Sequence, residues 1–205
     1  MKFHQEGMPF IIGSAIFALL ANVIHTTFGI FAIAIAGFIA YFFRDPERVI
    51  PDGDIEDFVL SPSDGIVIGI AEDVYMEEKV QRISIFLHLW DVHVIRVPHS
   101  GKITHKIYKK GTFAHAESEK ALNRNENLAI KIEGKITMVC RQVAGLLGRR
   151  IICDVETGDT IKAGDRYGII KFGSRMDLYL PTNVNILVKK GQTMIGGETI
   201  IAKIE

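Results

Sequence analysis

Disulfide chemistry is nearly absent from this chain: its 205 residues include two cysteines, Cys140 and Cys153. Neither has a second cysteine or a histidine at zinc-ligand spacing, so no disulfide framework and no metal site are expected, only free, buried thiols in a reducing compartment. Net charge is missing too, since Lys+Arg and Asp+Glu number 24 each. That balance supplies no global field to draw in nucleic acid, and no nucleic-acid partner is expected. No tandem repeat and no long coiled-coil heptad run is present.

The most informative absence is local. Between positions 9 and 43 there is no Asp, Glu, Lys or Arg, and the run is rich in Ile, Ala and Phe. It exceeds the roughly 20 apolar residues that one spanning helix needs. His25-Thr26-Thr27 and Gly29 interrupt it, which predicts two apolar helices of about 16 residues forming a membrane hairpin or a shallow pair, with one long tilted helix as the alternative. A signal peptide fits less well: Lys2 is the only charge for an n-region, and no small-x-small site closes the stretch. Arg44 and Arg48 follow directly, and positive charge stays on the cytoplasmic side. The globular part is therefore expected at the cell membrane, on its cytoplasmic face.

Arg44-Asp-Pro-Glu-Arg-Val-Ile-Pro51 reads as a linker whose prolines end helical structure. The text then changes to short apolar runs separated by Gly, Asp and Lys at intervals of about ten residues, the pattern of a mainly β barrel or sandwich. Strands are predicted over 66–71, 82–89, 93–97, 102–108, 128–133, 136–143, 150–155, 166–172, 177–180, 185–188 and 199–204. The polar tract 117–127 is left as a loop or a short helix. Two domains follow: a membrane-associated segment and linker over 1–50, and a β-rich domain over 51–205.

Several short stretches can carry chemistry. Gly173-Ser174 lies in a turn between apolar runs, where a serine hydroxyl can attack the carbonyl of its own preceding peptide and glycine tolerates the unusual backbone this requires. Ser61-Pro-Ser-Asp-Gly65 puts Asp64 in a turn before a strand, either as an ordinary turn residue or as the group that orients or deprotonates a serine elsewhere. In Trp90-Asp-Val-His-Val-Ile-Arg-Val-Pro98, an extended backbone places Asp91 and His93 on one face as a proton shuttle, with His88 and Arg96 on the other. His115 and the run Asn123-Arg-Asn-Glu126 sit in polar loops that suit either a pocket mouth or a solvated turn. Lys102, Lys106, Lys109 and Lys110 form a basic stripe able to meet anionic headgroups, or simply a solvated strand face.

Taken in order, Phe42-Phe-Arg-Asp-Pro-Glu-Arg48, Ser61-Pro-Ser-Asp-Gly65, Trp90–Pro98, His115, Asn123-Arg-Asn-Glu126, Gln142-Val-Ala-Gly145 and Phe172-Gly-Ser-Arg175 resemble the pyruvoyl-dependent phosphatidylserine decarboxylases in their short form, a group that includes archaetidylserine decarboxylases of ether lipids. The resemblance implies that the Ser174 hydroxyl attacks the Gly173 carbonyl and that the chain is cut between 173 and 174. Ser174 becomes a pyruvoyl group, the cofactor, whose ketone takes up the serine-headgroup amine as a Schiff base and acts as electron sink for CO2 loss. It implies Asp64 as the aspartate that assists serine activation, with His93 beside it, and His115, Asn125 and Arg96 as candidate substrate-binding residues. The phospholipid substrate, the membrane and the chain's own two cleaved fragments, as a heterodimer open to further oligomerisation, are the implied partners. The longer members carry a second histidine where Arg96 stands here, so the base for self-cleavage stays open among His93, Asp64 and His88. The competing reading is a membrane-anchored, non-enzymatic adaptor with a biotinyl/lipoyl-like barrel, suggested by Val188-Lys-Lys-Gly-Gln-Thr-Met-Ile-Gly-Gly-Glu198 with the Gly65 and Gly164 turns. Its Lys189-Lys190 lacks the flanking residues of a carrier lysine.

Overall fold

The computed structural model describes residues 2–53, 55–113, 124–145, 150–171 and 174–204. The chain divides into two compact units, Met1–Glu47 and Arg48–Glu205.

In the first unit, β1 (Lys2–Phe3) pairs antiparallel with β2 (Arg44–Asp45), which bracket α1 (Met8–Ile24) and α2 (Thr26–Phe42). Pro9 opens α1, where its missing N–H is no loss. His25 ends it: its backbone is extended (φ −160°, ψ 125°), and its Nδ1 accepts from Thr27 N at 3.2 Å to cap α2. The interruption read at 25–27 is therefore a one-residue hinge between two 17-residue helices. Small residues make their seam, with Ala18, Ala21 and Ala32 packed together and Gly29 in close contact with Asn22. Large apolar side chains such as Phe17, Leu19, Val23, Phe28 and Phe31 point outward and are exposed. The helical stretch Gln5–Ile24 is long and apolar enough to cross a membrane, and Thr26–Phe42 is a shorter apolar helix.

The second unit is mainly β, as its alternating runs predict. Its strands are β3 (Phe58–Leu60), β4 (Gly65–Tyr75), β5 (Glu78–Leu87), β6 (Val94–Arg96), β7 (Gly101–Lys109), β8 (Asn127–Glu133), β9 (Thr137–Ala144) and β10 (Ile151–Cys153). They continue with β11 (Thr160–Ile161), β12 (Arg166–Ile170), β13 (Ser174–Pro181), β14 (Val184–Ile186), β15 (Thr193–Met194) and β16 (Ile200–Ile204). A curled eight-stranded sheet, in the order β11-β7-β8-β9-β13-β5-β4-β15, faces three-stranded sheets ordered β10-β12-β6 and β14-β16-β3. The main core fills the concave side, with Val67, Ile85, Ile130, Met176, Leu178 and Ile201 among its members.

Strand β13 lies in the middle of the large sheet. Eight of its residues pair with β5 and six with β9. Period-two alternation sends Met176, Leu178 and Leu180 into the main core, while Tyr179 on the other face joins Val80, Ala129 and Val139. At their shared tip β4 and β5 extend beyond 66–71 and 82–89, because that tip is polar and solvated and carries no apolar alternation to read, while β5 stops at Leu87, short of 89. They join through Met76 and Glu77, both at positive φ (51° and 67°). That is the primed two-residue hairpin without the Asn-Gly pair that ordinarily signals it.

The inward thiols behave as the cysteine count implies. Burial pushes the Cys140 thiol far above its ordinary value, with Cys153 nearby adding to the effect, and burial likewise raises Cys153. Only the thiolate alkylates readily. In iodoacetamide at about pH 8, Cys140 should stay unmodified in the native protein and Cys153 should react more slowly than a free thiol. Both should label fully in denaturant, as read by mass spectrometry.

Candidate active site

Ser174 opens β13 on the concave side, directly opposite Leu87 of β5 and Ala144 of β9. It is fully buried, and its Oγ has no hydrogen-bond partner among the described residues. A buried hydroxyl without a partner costs about 1–3 kcal/mol of desolvation, and such atoms are rare enough in folded proteins to need an explanation. The chain leaves the β10-β12-β6 sheet after Ile170 and enters the large sheet at Ser174, so the serine sits where the backbone changes sheets. Gly173 and His115 lie outside the described residues.

The residues around this end are arranged by backbone hydrogen bonds. The Asn125 side chain is buried and its Nδ2 donates to Ala144 O at 2.8 Å, while Ala144 N donates to Glu126 O at 2.9 Å. Asn125 therefore fixes the residue that faces Ser174 across the ladder. His93, also fully buried, stands just before β6, and its carbonyl accepts from Ile170 N at 3.2 Å, four residues before Ser174. Its Nδ1 lies 2.9 Å from Asp91 O. A carbonyl can only accept, so the Nδ1 bears the hydrogen of this contact, which orients the imidazole.

The Asp91–His93 shuttle does not form. Residues 88–91 turn instead of running extended, and the Asp91 carboxylate closes that turn on His88, with Oδ2 2.7 Å from His88 N and 3.2 Å from its Nδ1. His88 is stacked on Trp90, with ring centroids 5.2 Å apart, on a partly exposed turn. The polar cluster read from the sequence is thus two separate features, a capped turn and a buried imidazole.

Asp64 ends the loop into β4. Its two oxygens each lie 2.8 Å from Arg48 Nη2, and Oδ1 accepts from Gly196 N at 2.8 Å. Ile66 pairs with Phe86, one step from the Leu87 that faces Ser174, so Asp64 lies at the serine's end of the sheet with β5 between them. Arg96 is buried close by: its backbone N donates to Pro62 O at 2.8 Å, its Nη1 donates to Gly164 O at 3.0 Å, and its stem lies against Gly197. These contacts hold the loops that carry Asp64.

One cluster escaped the sequence reading. On the convex face of the sheet, the Asp177 carboxylate accepts from Arg175 Nε at 2.6 Å, Ser84 Oγ at 2.7 Å and Arg141 Nη2 at 2.9 Å. Asp177, Arg175 and Arg141 are nearly inaccessible to solvent. Burial opposes the Arg141 charge, but the carboxylate of Asp177 and the Tyr179 hydroxyl beside it raise its pKa on balance. The available signal was a charged pair two residues apart inside an otherwise apolar strand, Arg175-Met-Asp177.

The geometry can be set against known proteins. The sequence pattern of the family described as "Phosphatidylserine decarboxylase" matches residues 35–202. The chain belongs to the phosphatidylserine decarboxylase family. Relatives named phosphatidylserine decarboxylase proenzyme include one from Wolbachia sp. subsp. Brugia malayi, 44% identical over 99% of this chain and 91% of its own length. One from Ehrlichia chaffeensis is 43% identical over 100% and 92%, and one from Rickettsia akari 44% identical over 97% and 89%. Like them, this phosphatidylserine decarboxylase family member is an enzyme made as a proenzyme, which sets the adaptor reading aside.

Proposed function

We propose that the chain cuts itself between Gly173 and Ser174 and then decarboxylates phosphatidylserine, or its ether-lipid equivalent, to the ethanolamine lipid and CO2. The observation that carries this reading is the buried, unpartnered Ser174 Oγ at the start of β13. A hydroxyl with no other partner is available to its own backbone. Attack on the Gly173 carbonyl exchanges the amide for an ester and frees the Ser174 nitrogen. Removal of the Ser174 α-proton then expels the Gly173 carboxylate and leaves a dehydroalanine. Uptake of water and loss of ammonia convert that residue to a pyruvoyl group.

The residues around Ser174 fit such a group: Leu87 and Ala144 flank it on the two neighbouring strands, and β13 carries no competing nucleophile on its concave face. The pyruvoyl carbonyl supplies the electron sink that lets the substrate carboxylate leave. His93, buried and oriented through its Nδ1 on Asp91 O, is the base in this reading, and Asp64, held by Arg48 and Gly196, sets the charge at the same end. Asn125 holds the opposing strand in place. In this reading the substrate comes from the bilayer to which the apolar helices tether the enzyme, and the positive charges of Arg44 and Arg48 after the apolar run support a cytoplasmic position.

Asp64→Asn should slow self-cleavage by about 100-fold or more, the range of a lost acid–base or orienting group. Time courses on a denaturing gel check it, and a variant that is cut as fast as the native chain removes Asp64 from processing. Micelles of phosphatidylserine and of its ether analogue, compared by CO2 release, decide between the two lipid classes.

A further inference from the structure

On the convex face, a pocket of ≈ 490 Å³ is bordered by Arg82, Ser84, Arg175, Lys189 and Lys190. Residues alternate along β13, so Arg175 opens to this side while Ser174 faces the core. The lysine pair, which the catalytic reading leaves without a task, is fixed in place by its hairpin. Val67 N donates to Gln192 O at 3.0 Å, Gly191 N to Val67 O at 2.8 Å, and Lys189 N to Gln192 Oε1 at 3.2 Å. Gly191 takes the φ of +85° that the turn requires.

The floor of the pocket has an unused donor. Arg175 is 1% exposed; its Nε and Nη2 bond Asp177 and Ser84, but its Nη1 has no hydrogen-bond partner among the described residues. The carboxylates on this side are already engaged, Asp177 with Arg175 and Arg141, and Asp73 with Arg82 at 3.1 Å. No ionic partner is found for Lys189 or Lys190 among the described residues. A guanidinium and two ammonium-bearing side chains lining one open space match a tetrahedral oxyanion, whose oxygens accept from several donors at once. The space is several times larger than the ion alone and admits a substituent on it.

We propose that this pocket is a second, non-catalytic site that binds the phosphate group of a phosphate ester. The same chemistry is offered by a phospholipid headgroup, a diester, and by a soluble monoester or free phosphate. Calorimetric titration of the full chain in detergent separates these sources, with inorganic phosphate and glycerophosphoglycerol as probes at constant ionic strength. Binding of the diester assigns the site to a lipid headgroup, and binding of inorganic phosphate alone assigns it to a soluble ion; each supports the site. Affinity should fall about tenfold or more in Lys189→Ala/Lys190→Ala, since each charge-assisted bond lost is worth about that factor. Both lysines are exposed, so this variant tests the site without disturbing the fold. Arg175→Gln should weaken binding as well. Ser174→Ala should bind as the native chain does, which keeps this result independent of self-cleavage. No binding of either probe, an unchanged affinity in the lysine variant, or loss of binding in Ser174→Ala overturns the proposal.

Discussion

Ser174→Ala yields one uncut polypeptide with no decarboxylase activity and a stability equal to or slightly above that of the native proenzyme. The first two outcomes follow from chemistry, because alanine has no oxygen to attack the preceding carbonyl and cannot become a ketone. The third follows from the structure. The Ser174 hydroxyl is buried without a partner, so deleting it removes an unsatisfied group and leaves little void. The expected change lies between zero and about 1 kcal/mol of stabilisation. A serine kept for structural reasons would show the reverse, a loss of stability with the chain intact in both forms. Denaturing gels, mass spectrometry of the fragment beginning at position 174, and urea titration of the uncut variant read the three outcomes separately. A cut Ser174→Ala chain, or an active uncut one, would refute the proposed chemistry.

Asp177→Ala should be the most damaging single change in the β unit. Its carboxylate receives hydrogen bonds from Arg175, Ser84 and Arg141, and none of these groups has solvent to fall back on. Removing the acid leaves two guanidinium charges uncompensated in the interior, and breaking a buried pair in this way costs about 3–5 kcal/mol. For a unit of this size, that is a fall in Tm of about 10 °C. Ser84→Ala, which removes one neutral participant and keeps the charges matched, should cost about 1 kcal/mol. Thermal melts of the proenzyme distinguish the two; equal effects would mean that the network contributes no more than ordinary packing. Displacement of β13 in Asp177→Ala should also slow cleavage, because Ser174 starts the same strand.

The parts of this protein that announce themselves in sequence are those governed by a repeating pattern. An uncharged run broken at His25 reads as two apolar helices, and the alternation over 102–108 reads as a strand; the strand forms, but a register shift between Ile103 and His105 leaves Ile103 buried and Ile107 exposed. Strand β13 was read from 177 instead of 174 because Arg175 and Asp177, a bonded pair, look like turn residues until the carboxylate's three partners are known. The site was legible as a set of residues but not as a geometry. The extended reading of 88–93 failed because Asp91 satisfies the His88 amide and folds the segment back, a local capping bond that periodicity does not encode. Likewise, the holding of Asp64 by Arg48 and Gly196 joins positions up to 132 residues apart. Such contacts belong to the topology, and no spacing within one stretch reveals them.

The central seat of β13 bears on what happens after the cut. The fragment that the proposed cut would start at Ser174 carries β13, β14, β15 and β16, and β13, β15 and β16 pair with β5, β9, β4 and β3 of the rest of the chain. A cut at that point would therefore spare the pairing of the sheet but erase the covalent memory of how it was reached. A denatured proenzyme refolds as a single chain at a rate independent of its concentration. A denatured mature enzyme must first reunite two separate polypeptides, so its recovery should become second order and fail on dilution. Once nicked, the enzyme is durable only for as long as it never unfolds.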